Sequence, residues 1–150
     1  DFYGVFTVME EVGLRGAEAA AYQLEPDLGI VLEGTICADM PEVEDYNKVT
    51  SIGKGAALSI MDGTTVYDID VVRNVVKIAE DNNIMYQFRS SSSGGNDAGV
   101  IHKTKKGAEV IAISVPCRYI HSSISVASKN DLYSALKLTK QVIIENQKGE

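Results

Sequence analysis

With 150 residues, 45% of them apolar, the chain is long enough for one domain with a sizeable core. Its 21 carboxylates against 14 Lys and Arg leave a net charge of -7, which argues against a phosphate backbone as partner. No apolar run is long enough to span a bilayer, so neither nucleic acid nor membrane is expected to bind.

Cys37 and Cys117 are isolated and lack metal-ligand spacing, which suits a reducing cytoplasm better than a disulfide scaffold. The first stretch, Val5, Phe6, Val8 and Met9, is apolar and β-favouring, and it stops at Glu10 and Glu11. It predicts a buried strand, a tight turn at Gly13 and a helix over 17–24, with both acids at the strand's C-terminal end. Open α/β sheets put ligand sites at that edge. Adjacent strand residues face opposite ways, so the two acids share a site only if the strand breaks near Glu10. The chain opens almost directly on this stretch, with no methionine before it, which reads as a fragment or the C-terminal part of something longer.

Pro26 and Asp27 turn the chain into a second predicted buried strand, Leu28–Ile36, with Glu33 inside an apolar run. An unpaired buried carboxylate is expensive, so Glu33 should be bound to something, or the strand should open to solvent there. Residues 39–48 form an acidic loop containing Asp39, Glu42, Glu44 and Asp45. A short strand over 57–61 closes at the turn dipeptide Asp62-Gly63. Gly53-Lys54-Gly55 precedes it, but lacks the other residues of a phosphate loop. Asp68 or Asp70 caps a helix to about residue 82, with Ile69, Val72, Val76 and Ala79 on one face. A strand follows over 84–88.

The Ser/Gly run 90–95 leads into a short helix from about 96 to 103, with Asn96 or Asp97 as N-cap. Its free amides could hold an anion or a carbonyl oxygen. Residues 102–106 are a basic, solvated end to that helix, closed by Gly107. The last strong strand covers 109–115 and puts His121 just beyond its C-terminal end. An amphipathic helix over 129–146 closes the chain, with Leu132, Ala135, Leu136, Thr139 and Ile143 on one face.

Glu10, Glu11, Glu33 and His121 together are oxygen and nitrogen donors of the kind that suit Zn²⁺, Co²⁺ or Mn²⁺. A glutamate beside such a site that is not itself a ligand is what hydrolysis needs as general base.

The stretch from Phe6 to Ala17, Phe-Thr-Val-Met-Glu-Glu-Val-Gly-Leu-Arg-Gly-Ala, resembles the glutamate-pair motif of dinuclear-metal aminopeptidases of the M-forty-two type. These include glutamyl, deblocking and tetrahedral aminopeptidases, many of them labelled cellulase or endoglucanase. The resemblance continues through Val31-Leu32-Glu33, Ala38-Asp39-Met40-Pro41, Gly53-Lys54-Gly55, the run from Gly94 to Gly99 and the run from Ser114 to Ser122. It implies a three-layer α/β fold with a mixed, mostly parallel sheet, and a cytoplasmic peptidase that acts on peptide N-termini and forms a homo-oligomer.

By the same resemblance Glu10 is the general base, and Glu11 and His121 share one of two divalent ions, zinc or cobalt. Glu33 binds the other. Gly94, Gly95, Asp97 and Arg118 serve the substrate side, with Arg118 bracing the His121 loop. Asn96 stands where the family has threonine and Ala56 where it usually has proline, both outside the metal shell. The remaining ligands, one histidine and a bridging aspartate, come from upstream in the family, as does its accessory β domain. The chain thus reads as the C-terminal part of the catalytic domain, expected to bind at most one ion weakly and to be inactive alone. Two rivals are weighed. A glycoside hydrolase needs separated carboxylates across a sugar, whereas Glu10 and Glu11 are neighbours and the chain has no tryptophan. The other is a non-catalytic domain with a vestigial half-site.

Overall fold

The computed structural model describes residues 1–148. Five strands form one mixed sheet: β1 (Leu28–Ile36), β2 (Ala56–Leu58), β3 (Tyr86–Phe88), β4 (Glu109–Arg118) and β5 (Val126–Ala127). The strand order is β1-β4-β2-β3, with β5 beside β4. The pairs β1/β4 and β2/β3 are parallel and carry most of the ladder, while β2/β4 and β4/β5 are antiparallel. β4 is the central strand, and from Val110 to Ser114 it is buried without a break, as its apolar run requires.

Four helices flank the sheet: α1 (Arg15–Leu24), α2 (Ile69–Asp81), α3 (Ala98–Ile101) and α4 (Lys129–Lys148). α3 lies over Gly29, whose missing side chain makes room for Ile101, and α1 packs on α3. α4 sits on the opposite face, where Leu132 shares a shallow apolar pocket with Leu32, Gly34 and Val115. α2 packs against α4 and β4. The core joins Leu58, Val72, Val75, Ile111, Ile113, Leu138 and Val142.

The strand expected over residues 5–9 does not form. Phe6 is fully exposed, and Val5, Val8 and Met9 are about half exposed. A strand persists only where a neighbour takes its backbone groups and packs its side chains. Here the Val8 and Met9 carbonyls instead accept from Gly16 N (2.9 Å) and Arg15 N (3.3 Å), which ties the stretch to the start of α1. Gly16 permits the approach, since a Cβ there would lie 2.5 Å from the Val8 backbone.

The helix faces also differ from those expected. In α4 Leu132 and Leu136 are exposed, and Ala135, Leu138, Thr139 and Val142 face the core. In α2 Ile69 is exposed, and Val75 and Ile78 join Val72 and Ala79 inside.

The Gly53-Lys54-Gly55 loop does bind an anion, and the anion is internal. The carboxylate of Asp131, in the first turn of α4, accepts from Gly53 N at 2.7 Å and Gly55 N at 2.8 Å. Gly55 has φ +89° and a Cβ there would sit 2.1 Å from the Met85 carbonyl oxygen, so no other residue fits. Asp131 is 1% exposed. Asp131→Ala leaves two loop amides without their acceptor and should cost about 2–4 kcal/mol, seen as a lower urea midpoint at unchanged slope.

Candidate active site

Because β1 and β4 run parallel, their C-terminal ends open on the same edge. Ala38 follows β1 with φ +52°, and Tyr119 and His121 follow β4 with φ +59° and +62°. Met9 (φ +60°) and Leu14 (φ +58°) lie on either side of the 3₁₀ turn Glu10–Val12. Of the other non-glycine residues with positive φ, Glu25 and Asn83 lie just past helix ends, where such values are ordinary, and Lys105 lies in the turns that follow α3. Among the described residues, five of the eight non-glycine residues with positive φ therefore gather on this edge, as strained backbone does at functional sites.

The 3₁₀ turn supplies the break that the two adjacent acids need. Glu11 Oε1 lies 3.1 Å from His121 Nε2, which joins residues 110 positions apart in sequence. Glu10 is half-buried beside them. Burial, with the charges of Glu11 and Asp97 next to it, pushes its carboxyl above the usual carboxylate range, against a smaller pull from His121.

Glu33 is reached from the other side of the edge. The β1/β4 register sets it opposite Ser114, so the two side chains share a face, and Ser114 Oγ donates to Glu33 Oε1 at 3.1 Å. Asn96 Nδ2 donates to the same oxygen at 3.3 Å. The Asn96 amide also reaches Tyr67 Oη (3.1 Å) and Asp62 Oδ2 (3.4 Å), and Tyr67 donates to Asp62 Oδ2 at 2.8 Å. Burial pushes Glu33 up to about 7, with the Ser114 hydrogen bond pulling the other way and the negative charge of Glu10 adding to the rise. Asn96, expected outside the metal shell, touches the glutamate expected to be a ligand.

Asp97 is buried, takes a 2.7 Å hydrogen bond from Thr7 Oγ1 on Oδ2, and has no partner on Oδ1 among the described residues. The amides at the start of α3 are not free for an anion. Ala98 N donates to Asn96 Oδ1 at 2.9 Å, Gly99 N to the Asn96 carbonyl, and Val100 N and Ile101 N to the Asp97 carbonyl. Gly94 and Gly95 pack on the turn after β2, through Gly63 N to the Gly94 carbonyl (2.7 Å) and the close approach of Thr64 to Gly95.

Arg118 is engaged on both oxygens of Asp39, at 2.6 and 3.0 Å, and Asp39 also accepts from Ile52 N. That fixes the chain three residues before His121. Arg89, not singled out by the sequence, binds Thr35 Oγ1 and the carbonyls of Ser91 and Ser93, so it holds the Ser/Gly run to β1. Cys37 and Cys117 are free thiols, and burial pushes Cys37 up to about 11.

A sequence model of the M42 glutamyl aminopeptidase family matches residues 1–138. The chain belongs to this family. An aminopeptidase from the archaeon Desulfurococcus kamchatkensis superposes with TM-score 0.89 and 40% identity, over 91% of this chain and 39% of that one. Lysyl aminopeptidase of Pyrococcus furiosus is 31% identical over 147 residues, 97% of this chain and 41% of its own length. The TET1 peptidase of Pyrococcus horikoshii, described as assembling into a tetrahedron or a large octahedral shell, gives TM-score 0.75 and 31% identity over 91% of this chain and 39% of that one. The chain thus spans about two fifths of the length of these relatives.

For a member of this family the donors fit a divalent ion in kind. A carboxylate oxygen and an imidazole nitrogen meet at Glu11 and His121, and Glu33 offers Oε2, which no hydrogen bond reaches among the described residues. In number they are incomplete, since among the described residues no three such side chains converge.

A carboxyl moved from 4.5 to about 7 destabilises the fold once both states are ionised, on the order of 3 kcal/mol by pH 8. The raised value means the folded chain holds the proton longer than the unfolded one. The penalty is therefore absent below the unfolded value and grows as pH rises through about 7. Glu33→Gln should raise the melting temperature of the metal-free chain at pH 8 and lose that advantage at pH 4, measured by thermal scans across pH.

Proposed function

We propose that the chain is the C-terminal part of the catalytic domain of a metal-dependent aminopeptidase, which removes N-terminal residues from peptides. The observation that carries this is the meeting of Glu11 with His121 at 3.1 Å beside a half-buried Glu10. Glu11 and His121 would hold one divalent ion, zinc or cobalt, and Glu33 would contribute to a second. Bound divalent ions supply Lewis-acid polarisation of a scissile carbonyl and acidify water.

Glu10 is the group that moves the proton. Its raised pKa keeps it able both to take a proton as base and to return it to the leaving amine. Glu10 makes no ion pair of its own among the described residues, whereas its neighbour Glu11 does, which divides the two acids into base and ligand. Arg118 and Asp39 brace the turn that carries His121, and the Gly94–Gly95 segment with Asp97 forms the substrate side. The free thiols fit a reducing cytoplasm. Exposed Phe6, Leu32, Leu132 and Leu136 offer apolar surface for the rest of the catalytic domain and for homo-oligomer contacts.

Two experiments test this reading. The 150-residue chain, titrated calorimetrically with zinc and assayed on aminoacyl-p-nitroanilides with cobalt, should bind at most one ion weakly, release no amino acid, and leave a cellulose-derived substrate untouched. Two tightly bound ions with turnover would show that a ligand set exists elsewhere, and sugar release would favour a glycosidase. In enzyme reassembled with the complementary part of the catalytic domain, Glu10→Gln should lower turnover by about 10²–10⁴-fold at unchanged metal content. Glu11→Gln should lose metal, and an exchange of these phenotypes would reverse the roles.

A further inference from the structure

Both hydrogen bonds to the Glu33 carboxylate fall on one oxygen. Ser114 Oγ and Asn96 Nδ2 converge on Oε1 from two different elements, and Oε2 receives none among the described residues. Neither donor is free to turn away. Ser114 is fully buried in the central strand, and the register places it beside Glu33. Asn96, 3% exposed, cannot flip its amide, because Oδ1 holds Ala98 N and Nδ2 faces Tyr67 Oη and Asp62 Oδ2. The far end of the chain of bonds is fixed as well. Asp62 Oδ1 accepts from Thr64 N, Thr64 Oγ1 and Thr65 N at 2.8 to 2.9 Å, and Tyr67 spends its proton on Asp62 Oδ2. The phenol is thus left to accept from Asn96, and the amide's other hydrogen is directed at Glu33.

We propose that Asn96 and Ser114 are positioning residues that clamp Oε1 of Glu33, so that this side chain meets a cation through Oε2 alone. The inference rests on the assignment of Glu33 as a ligand under the proposed function. A glutamate without such a clamp samples several rotamers and can bind through either oxygen or both, which loosens the geometry of any ion it holds. Asp62 and Tyr67 act one step further out, by holding the amide of Asn96.

Nuclear magnetic resonance on the chain separates the clamp from the ligand assignment. In metal-free protein, side-chain couplings should show one Glu33 rotamer, and Asn96→Ala or Ser114→Ala should each give rotamer averaging. Zinc is then titrated into enzyme reassembled with the complementary part of the catalytic domain, where both proposed ions have their ligands, while the Glu33 side-chain carboxyl carbon and the His121 imidazole are followed separately. Each variant should raise the zinc midpoint at Glu33 by about 10–100-fold and leave that at His121 unchanged. Asn96→Ala also removes the acceptor of Ala98 N at the start of α3, so Ser114→Ala, whose hydroxyl bonds only to Glu33 among the described residues, decides the matter if the first variant is loosened. An unchanged rotamer and unchanged midpoint in Ser114→Ala overturn the clamp. A wild-type Glu33 carbon that ignores zinc while His121 responds overturns the ligand assignment instead, and the rotamer measurement alone then decides the clamp.

Discussion

The parallel pairing of β1 with β4 is the constraint on which the rest of the site depends. It sends both strands' C-terminal ends to one edge, so that the turn after β4 can deliver His121 to the turn that carries Glu11. It also fixes register. A slip of one residue would turn Glu33 to the α4 face, away from Ser114 and Asn96, and would put Leu32 in its place. The register is specified by β1, where Gly29, Val31 and Thr35 are buried and Leu32, Gly34 and Ile36 are exposed, so a slip would bring a side chain to the place where Gly29 makes room for Ile101. A single packing requirement in the sheet therefore sets the position of a charged group.

The edge that results is costly to the fold. Glu10 and Glu33 are both pushed toward neutrality, Glu10 by burial and the charges of Glu11 and Asp97, Glu33 by burial and the charges of Glu10 and Asp62. Arg89 lies close enough to Glu33 to pull against that rise, but its guanidinium is already bound to Thr35 and the Ser/Gly run. Five residues on the same edge hold left-handed backbone that glycine would adopt more readily. Clustered like charge and strained backbone lower stability, and they persist where function selects them over stability.

Much of this was legible in the sequence because it depends on local pattern. Leu28–Ile36 has the bounds its apolar run predicts, and Asp68 caps α2 through Asp70 N as an Asx residue before an apolar period should. Glu11 and His121 are expected on one edge from two strand ends, but of these two only β4 ends there as a strand, and it is the 3₁₀ turn Glu10–Val12 that carries Glu11 to His121. What was not legible depends on partners distant in sequence. Residues 5–9 have strand composition, yet composition cannot provide a neighbour to pair with. Which stripe of α4 faces inward is set by the sheet beneath it, since Leu132, Leu136, Leu138 and Val142 are all apolar and only two of them are buried. The contact between Asn96 and Glu33 crosses 63 positions, and a polar residue in a glycine-rich run reads as a cap or a turn. It is a cap as well, and the two roles use opposite ends of one amide.

The inward-facing acids of this chain fall into two groups, and the division separates scaffold from chemistry. Asp62 has donors on both oxygens, from the turn it closes and from Tyr67 and Asn96. Asp131 has each oxygen bound to a loop amide, and Asp39 has one oxygen on Arg118 and the other shared by Arg118 and Ile52 N. Such carboxylates have replaced the water they lost, so they hold loops in place at little cost in free energy. Glu33 and Asp97 differ: Asp97 Oδ1 is buried without a partner among the described residues, and the partly buried Glu33 has both its hydrogen bonds on Oε1 and none on Oε2. Desolvation without replacement is unfavourable, and a fold tolerates it where something else is to complete the shell. Both acids lie near Glu10: the charge of Asp97 raises the Glu10 carboxyl, and the charge of Glu10 raises that of Glu33. The incomplete hydrogen bonding therefore marks the same edge as the backbone strain and the Glu11–His121 contact, and it does so independently of either.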